Sequence, residues 1–338
     1  MKVGHCQALT ANPLTASVRG FFFNEMIGSF AGASLMSKRF QLIALLSDGQ
    51  FCSGVRLAEE LAISRAAVWK HVQSLAALGL DVHAVRGRGY QLSTPLQLLD
   101  LEKILASLSQ STRSRLDAID VLNSVDSTSE YLRRQLDSLY PGRGKACLAE
   151  QQTAGRGRRG KSWVSPYGSS LYLSLAWFID QPGLSISGLS LAIAVSVVRA
   201  LERYGVERLG LKWPNDIFLE GRKLAGILLD LSGESGGVWR VVVGIGINLR
   251  MPSGAAELID QPWTDLSGMA VEVDRNLLAG QVLEALVSDI ELFAGKGLVS
   301  FIDEWERFDL LSGREIGLQQ GDRMIAGIAR GIDKDGAL

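Results

Sequence analysis

The sequence predicts an α+β protein of two or three domains, and three observations support this. Three short helical patterns and a hairpin pattern occupy residues 38–92, strands and helices alternate between about residues 100 and 310, and strand patterns return after Ser312. Runs of strands between helices are typical of an α+β domain built on a mixed sheet. The length of 338 residues agrees, because a domain usually takes roughly 150 residues.

The composition is that of an ordinary globular protein. Apolar residues make up 47% and charged residues 21%, which excludes disorder over most of the chain, and the net charge of −1 means that any basic surface must be local. Three scattered cysteines favour a reducing compartment, so we expect a cytoplasmic protein. The longest apolar run, 189–198, is shorter than the ~18 residues of a membrane span.

Residues 1–36 have weak periodicity. A signal peptide fits poorly, because Lys2 is followed by a polar stretch rather than an apolar one. We expect 1–36 to be an unstructured extension.

The segment 37–95 has the element order of a winged helix-turn-helix. Helical spacing begins at Lys38, and Ser53 and Ser64 suit the N-caps of two further helices. The stretch 82–92 then predicts a hairpin, and Pro95 marks the end of the unit.

The third helix of this unit is the expected DNA-reading element. Its apolar face turns inward, which leaves polar and aromatic side chains free for a major groove, while the hairpin arginines would contact phosphate or the minor groove. The six candidates are Arg65, Trp69, Lys70, Gln73, Arg86 and Arg88. A helical interaction module remains the alternative, because residues 53–92 hold only five Lys or Arg against three Asp or Glu.

The segment 96–310 alternates between strands and helices. The strands are predicted at 119–125, 145–149, 171–177, 209–213, 217–219, 224–231 and 239–247, and the helices at 130–139, 189–204, 276–293 and 299–308. Strict alternation of side-chain type at 171–177 predicts a half-buried strand.

The segment 311–338 reads as part of a small β unit. Strands are predicted at 314–319 and 322–332. Roughly thirty residues are too few to close a core, so we expect an incomplete domain.

The strongest chemical signal is a glycine- and arginine-rich loop at 155–163. It holds four cations and three glycines in nine residues. Glycines let the backbone approach a ligand, and arginines bind phosphate or carboxylate. The pattern favours an anion-binding loop over a basic linker or an RNA-binding Arg-Gly segment.

A second signal is the run Lys212-Trp213-Pro214-Asn215-Asp216, followed by Arg222-Lys223-Leu224-Ala225-Gly226. We expect Lys212 and Lys223 on neighbouring strands, both within reach of a carboxylate-bearing ligand in an apolar slot. Turn residues with surface lysines are the alternative.

Asp126-Ser127-Thr128-Ser129-Glu130 is a third signal. Ser127 and Glu130 have the spacing of a capping box, and the hydroxyls could also bind a polar ligand head. The two roles are compatible.

The run Val243 to Leu249 places glycines inside a strand, which indicates close approach by a ligand or backbone. It lacks the third glycine of a dinucleotide fingerprint.

Histidine chemistry is excluded from the central segment, because the three histidines precede residue 95. We therefore predict no metal site, and we expect cations, backbone donors and carboxylates to support nucleotidyl transfer from a magnesium–nucleotide complex.

Taken in order, these motifs resemble the biotin–protein ligase family in its bifunctional form, which is also the biotin operon repressor. The resemblance covers residues 40–338. It implies a winged helix-turn-helix at 37–95, a mixed-sheet ligase domain of class II synthetase-like type at 96–310, and part of an SH3-like β-barrel at 311–338.

The resemblance implies a two-step reaction. Biotin and ATP, with Mg²⁺, give biotinyl-5′-AMP, and a lysine of a biotin carboxyl carrier protein domain then takes the biotinyl group. It also implies operator DNA as a partner and a homodimer when the adenylate is bound, with no membrane partner.

Residue roles follow from the resemblance. Catalysis would rest on Lys223, Arg156 and Arg158. Biotin would be bound by Ser127, Thr128, Ser129, Gln152, Arg156, Gly157, Arg158, Lys223 and Gly226. ATP would be bound by Arg158, Arg159, Trp163, Asn215, Asp216 and Asn248. Family members often have Asn where this chain has Ser129.

Two other functions stay open on the sequence. A lipoate or octanoate ligase shares the fold, but its Arg-Arg and Gly-Gly-Gly loop is missing here. A ligand-sensing transcription factor without ligase activity is disfavoured by Lys223 and the complete basic loop.

Overall fold

The computed structural model describes residues 31–234, 238–269, 273–320 and 323–338. Residues 1–30 of the extension expected at 1–36 lie outside the described residues. Residues 31–36 are helical, so the first helix begins before Lys38, where the periodicity placed it. Within the described residues, no helix combines the length and the apolar character needed to cross a membrane.

The N-terminal unit is a winged helix-turn-helix, as predicted. It consists of α1 (Ala31–Leu46), α2 (Gly54–Glu60), α3 (Arg65–Leu75) and the antiparallel strands β1 (Val82–Val85) and β2 (Gly89–Leu92). The Ser53 hydroxyl accepts from the Arg56 amide at 3.1 Å, and the Ser64 hydroxyl accepts from the Ala67 amide at 3.2 Å. Both predicted N-caps are therefore confirmed.

The central domain is built on a seven-stranded mixed sheet. Its strands are β3 (Leu116–Leu122), β4 (Gly144–Ala149), β5 (Ser170–Asp180), β6 (Leu209–Lys212), β7 (Asp216–Leu219), β8 (Arg222–Glu234) and β9 (Val238–Asn248). The spatial order is β3-β4-β5-β9-β8-β7-β6, with β3 and β4 parallel and the other pairs antiparallel.

Helices cover both faces of this sheet. They are α4 (Leu101–Ala106), α5 (Gln110–Arg115), α6 (Thr128–Arg133), α7 (Leu189–Arg203), α8 (Ser253–Ala256), α9 (Arg275–Lys296) and α10 (Ile302–Phe308). The main core forms where α7 and α9 pack on the sheet, and α6 packs on β4, β5 and β9. The helix predicted at 130–139 is shorter in the structure, because α6 ends at Arg133 and a 3₁₀ turn follows at Leu136–Ser138.

Strand β5 corrects one prediction. Its side-chain alternation predicted a half-buried strand, but Tyr172, Ser174 and Ala176 are as buried as the leucines between them. The reason is tertiary, since α6 covers the face that the alternation assigned to solvent. A polar residue on that face is therefore an interior residue.

The last unit is a small antiparallel sheet of β10 (Glu315–Gln320) and β11 (Arg323–Ile328). This hairpin is the part of the expected SH3-like barrel that the described residues form. Its first strand lies beside the cavity described below, so it contributes to the same region of the molecule.

The connection between the first two units is tightly bound to the central domain. The Leu99 amide donates to Glu150 Oε1 at 2.5 Å, and the Asp100 amide donates to Asn276 Oδ1 at 2.8 Å. Glu150 also forms an ion pair with Arg275, and both side chains are almost fully buried. A buried charge is stabilised when it is paired, so Arg275 holds Glu150 in place to accept from the Leu99 amide. The linker is therefore an ordered element.

Candidate functional site

A cavity of about 850 Å³ opens where the basic loop, the β6–β7 turn and the first residues of β8 meet. Thirteen of the predicted site residues line it: Ser127, Thr128, Ser129, Gln152, Arg156, Gly157, Arg158, Arg159, Trp163, Asn215, Asp216, Lys223 and Gly226. A cavity of this size matches a ligand of a few hundred daltons. The four separate motifs therefore form one site.

The polar end of the cavity is built by the N-terminus of α6. The Thr128 amide donates to Gln152 Oε1 at 2.9 Å, and the Thr128 hydroxyl contacts the same oxygen at 3.2 Å. Ser127 caps α6, since its Oγ accepts from the Glu130 amide at 3.4 Å. The capping role and the cavity-facing position coexist at Ser127, as the sequence allowed.

The floor of the cavity is an indole ring lying on two glycines. A Cβ on Gly246 would stand 2.5 Å from the Trp163 ring, and one on Gly226 would stand 2.8 Å from it. Both distances are far below van der Waals contact, so any side chain at these positions would displace the ring. Gly226 in β8 and Gly246 in β9 are therefore explained by close approach of Trp163, whereas a Cβ on Gly244 in β9 would meet the Ser129 hydroxyl.

The Lys223 ammonium lies inside the site and is mostly buried. It pairs with Asp216 Oδ1 at 2.8 Å and stands 5.5 Å from the centre of the Trp163 ring. Lys212 also lines the cavity, but it is not on a neighbouring strand as predicted, because β7 lies between β6 and β8. Both lysines still line the same cavity.

The basic loop closes one side of the cavity through two arginines. Arg156 Nη1 lies 3.0 Å from Glu130 Oε2 and 3.4 Å from Asp230 Oδ2. Arg158 Nη1 donates to Asn215 Oδ1 at 2.8 Å, which joins the loop to the β6–β7 turn. The loop is thus connected to three separate elements around the opening.

Glu130 is a carboxylate beside the basic loop that forms ion pairs with several arginines. A bidentate pair with Arg133, at 2.8 and 2.6 Å, and the nearby Arg156 and Arg134 hold the pKa of Glu130 below its usual value. The carboxylate therefore stays ionised in the folded protein at mildly acidic pH.

Asn248 is the one predicted ligand contact that the structure places away from the cavity lining. Its side chain is buried and donates to the Thr264 carbonyl at 3.1 Å. Thr264 in turn donates its amide to the Lys223 carbonyl at 2.9 Å. Asn248 thus holds the segment that supports Lys223, and its direct contact with a nucleotide stays a prediction.

Several lining residues carry no sequence signal. Gln261, Leu311 and the β10 residues Ile316, Gly317, Leu318 and Gln319 belong to this group. They come to the cavity from distant segments and have no motif of their own. Ser174 was missed for a different reason, because it sits inside a strand pattern and supports the site from behind.

The DNA-binding candidates form an exposed surface on the first unit. Arg65, Trp69, Lys70, Gln73, Arg86 and Arg88 are all exposed. Trp69 is 54% exposed, which is unusual for a tryptophan, whereas Val68, Val72 and Leu75 on the same helix are buried. The predicted inward and outward faces of α3 are therefore confirmed.

Comparison with known proteins agrees with both halves of the molecule. The profile of the Biotin/lipoate A/B protein ligase family matches residues 121–248, and an HTH domain profile matches residues 38–91. The Bifunctional ligase/repressor BirA of Escherichia coli (strain K12) is 43% identical over 298 residues, or 88% of this chain and 90% of the relative. The protein of the same name from Bacillus subtilis (strain 168) is 32% identical over 305 residues, covering 89% of this chain and 93% of that relative.

A solved structure shows the same catalytic fold. The biotin protein ligase from Aquifex aeolicus in complex with biotin and ATP aligns with a TM-score of 0.55 and 29% identity, covering 65% of this chain and 90% of that one.

Fold and cavity together define the class of protein as an acyl-activating ligase fused to a winged helix-turn-helix. The extent of the likeness to complete relatives defines it further: the chain belongs to the family of bifunctional biotin–protein ligases and repressors.

Proposed function

We propose that this protein joins biotin to ATP, transfers the biotinyl group to a lysine of a biotin carboxyl carrier protein domain, and represses transcription when the adenylate is bound. One observation supports this best: a single cavity has a polar end made of hydroxyls and an amide, and a cationic end made of Lys223 and the basic loop. Biotin has a ureido group at one end and a carboxylate at the other, so it fits both ends.

The polar end favours biotin over lipoate. Thr128 and Gln152 are hydrogen-bonded side chains in a largely buried corner. Lipoate has no ureido group at this end. It would displace water from Thr128 and Gln152 without forming hydrogen bonds to them, which costs binding free energy. A ureido oxygen and its two N–H groups instead replace the water.

The cationic end suits the first chemical step. A carboxylate oxygen of biotin attacks the α-phosphorus of ATP, the new P–O bond forms, and the bond to pyrophosphate breaks. Negative charge grows on the phosphoryl oxygens, and Lys223, Arg156 and Arg158 are the cations that can stabilise it. Ser129, Gly157 and Gly226 would complete the walls around biotin.

The nucleotide would occupy the side of the cavity formed by the loop and the β6–β7 turn. We assign Arg159 and Arg158 to the phosphates and Trp163, Asn215, Asp216 and Asn248 to the nucleoside side. Among the described residues, no three His, Cys, Asp or Glu side chains come together as a metal site. Mg²⁺ usually keeps several waters and binds through one or two carboxylates plus substrate phosphates, so it would arrive on the ATP phosphates.

In the second step, a neutral lysine amine of the carrier attacks the carbonyl carbon of the adenylate. The amide C–N bond forms, the acyl C–O bond to the phosphate breaks, AMP leaves, and the amine releases one proton to solvent. Lys223 and Arg156 would stabilise the departing phosphate charge. Water must be kept out meanwhile, which the loop 155–163 achieves by covering the anhydride.

The first unit would bind operator DNA through α3 and the hairpin. Six contact residues per protomer give weak binding, whereas a homodimer doubles the number of contacts. We propose that the adenylate favours this homodimer, that the protein acts in the cytoplasm, and that the units divide at about 37–95, 96–310 and 311–338.

Pyrophosphate release is the direct test. Purified protein is mixed with Mg-ATP and either biotin or lipoate, and a carrier domain is then added. We expect pyrophosphate release and carrier labelling with biotin. Adenylate formed from lipoate alone would contradict the proposal, and operator affinity that ignores biotin plus ATP would contradict the repressor part.

A further inference from the structure

Ser174 is a completely buried hydroxyl directly behind the polar end of the cavity. It lies in the middle of β5, is 0% exposed and is not a lining residue. Its Oγ stands 2.7 Å from the Thr128 hydroxyl and 3.0 Å from the Ser129 hydroxyl. Two of the proposed biotin contacts are thus joined through one interior serine.

The direction of these hydrogen bonds can be worked out from one backbone group. The Thr128 N–H can only donate, so the atom facing it at 2.9 Å must be the oxygen of the Gln152 carboxamide. That oxygen can only accept, so the Thr128 hydroxyl, 3.2 Å away, must donate to it as well. The hydroxyl hydrogen of Thr128 is therefore used.

The remaining directions follow in turn. Because the Thr128 hydrogen is used, Ser174 donates to Thr128 Oγ1, and because the Ser174 hydrogen is then used, Ser129 donates to Ser174. All three hydroxyl hydrogens are engaged within the chain of side chains. Thr128 and Ser129 are left with lone pairs for a ligand.

Donors stand beside these acceptors. The Gln152 amide gives one hydrogen to Ser165 Oγ at 3.0 Å and keeps the second. The Ser127 hydroxyl accepts from the Glu130 amide and keeps its hydrogen. The corner therefore presents two donors and two acceptors, which matches a ureido oxygen and its two flanking N–H groups.

We propose that Ser174 is a positioning residue that sets the hydrogen-bond polarity of this corner and thereby the preference for a ureido head. This rests on the proposed function, since the head group is that of biotin. Without the Ser174 hydroxyl, the Ser129 hydrogen loses its acceptor and turns toward the ligand. A donor would then face the ligand N–H.

The test is adenylation kinetics of Ser174→Ala with biotin. We expect the KM for biotin to rise about tenfold, which corresponds to the loss of about one hydrogen bond to the ligand. We expect kcat to stay within about twofold of wild type. Ser196→Ala is the matched control, because Ser196 is equally buried but donates within its own helix to the Ala192 carbonyl at 3.0 Å. We expect its kinetics to be those of wild type.

Ser174→Cys separates polarity from packing. The thiol fills the space of the hydroxyl but is a weak donor, so we expect it to stay impaired like Ser174→Ala. Biotin methylated on one ureido nitrogen is the second probe. Methylation at either nitrogen gives two isomers, and the one that the wild type rejects more strongly is used. The ratio of kcat/KM for biotin to kcat/KM for that isomer should fall about tenfold in Ser174→Ala.

Three outcomes would overturn only the role of Ser174, and a fourth would overturn the proposed function. A KM unchanged in Ser174→Ala, full recovery in Ser174→Cys, or equal losses for biotin and its methylated analogue would each overturn the role of Ser174 while the proposed function stands. A wild-type protein that fails to adenylate biotin would overturn the proposed function itself, and the role of Ser174 with it.

Discussion

The Lys223 ammonium and the Asp216 carboxylate lie 2.8 Å apart on the adjacent strands β8 and β7, at the cationic end of the cavity. A carboxylate in this position neutralises the lysine until a ligand arrives. Anionic ligand oxygens can then share or replace that contact, so charge is stabilised where the new P–O bond forms.

Replacing Lys223 by Ala should therefore abolish adenylation. We expect kcat/KM to fall at least about 100-fold, the usual cost of losing one preorganised charge-stabilising group. The assay is pyrophosphate release, with a thermal unfolding curve on the same sample. Lys296→Ala, an exposed lysine at the end of α9, is the control and should behave as wild type. Normal carrier labelling by Lys223→Ala would show that the lysine has no role in the chemistry.

Gly246→Ala tests the contact between β9 and Trp163. The new Cβ would lie 2.5 Å from the indole, so the ring must leave the cavity floor. Overpacking costs about 1–3 kcal/mol, and we expect the KM for ATP and biotin to rise together. Gly254→Ala is the control, since no atom lies within 4 Å of its added Cβ. Unchanged kinetics in Gly246→Ala would mean that Trp163 moves without consequence.

The sequence was informative wherever a short segment determines its own structure. The caps Ser53 and Ser64 and the glycines of the basic loop could be recognised because each depends on neighbours within a few residues. The two-sided burial of β5 could not, since it depends on α6, whose packing on that sheet face is a tertiary event.

The site shows the same division. The motifs identified the residues that bear charge, and the structure brings them together. The strand order that inserts β7 between Lys212 and Lys223, and the arrival of β10 at the cavity, depend on long-range topology. Ser174 was not identified because an interior serine in a strand looks like any other small residue until its partners are known.

Tyr167 joins the central domain to the first unit and should matter for stability. It is 2% exposed, belongs to the hydrophobic core of the winged helix-turn-helix and stacks on Phe40 with ring centroids 5.9 Å apart. Its hydroxyl donates to Asn123 Oδ1 at 2.9 Å. Tyr167→Ala removes this contact between the two units.

We expect Tyr167→Ala to lose about 3 kcal/mol of unfolding free energy, as large aromatic truncations do, measured by urea denaturation. Tyr140→Ala, at a tyrosine that is 68% exposed, should change it by less than about 0.5 kcal/mol. Equal stability of the two variants would mean that the units meet without energetic coupling.

Lys70→Ala tests the DNA-binding surface. An exposed lysine on α3 that contacts a phosphate should weaken operator and random DNA alike, and the slope of log affinity against log salt should become smaller by about 1. Fluorescence anisotropy over a series of salt concentrations measures this slope. Lys103→Ala, on α4 outside the proposed surface, serves as the comparison. An unchanged slope in Lys70→Ala would remove Lys70 from the interface.

Glu130 predicts a defined pH dependence of stability. Its pKa in the folded protein is lowered, first by the hydrogen bond from Arg133, so the carboxylate stabilises the fold at every pH above its unfolded pKa of about 4.3. The contribution is lost as the pH falls through the lower folded value. Because the partner arginines are exposed, we expect its size to be below about 1 kcal/mol.

The measurement compares wild type with Glu130→Gln by urea denaturation between about pH 7 and pH 3. The difference in unfolding free energy should be constant above about pH 5 and become smaller as the pH falls below that, because only the wild type has an ionised group at this position to lose. Glu257→Gln, at an exposed glutamate, should show no such decline. A difference that grows on acidification would reverse the sign of the shift and show that the arginines around Glu130, Arg156 included, do not hold its charge.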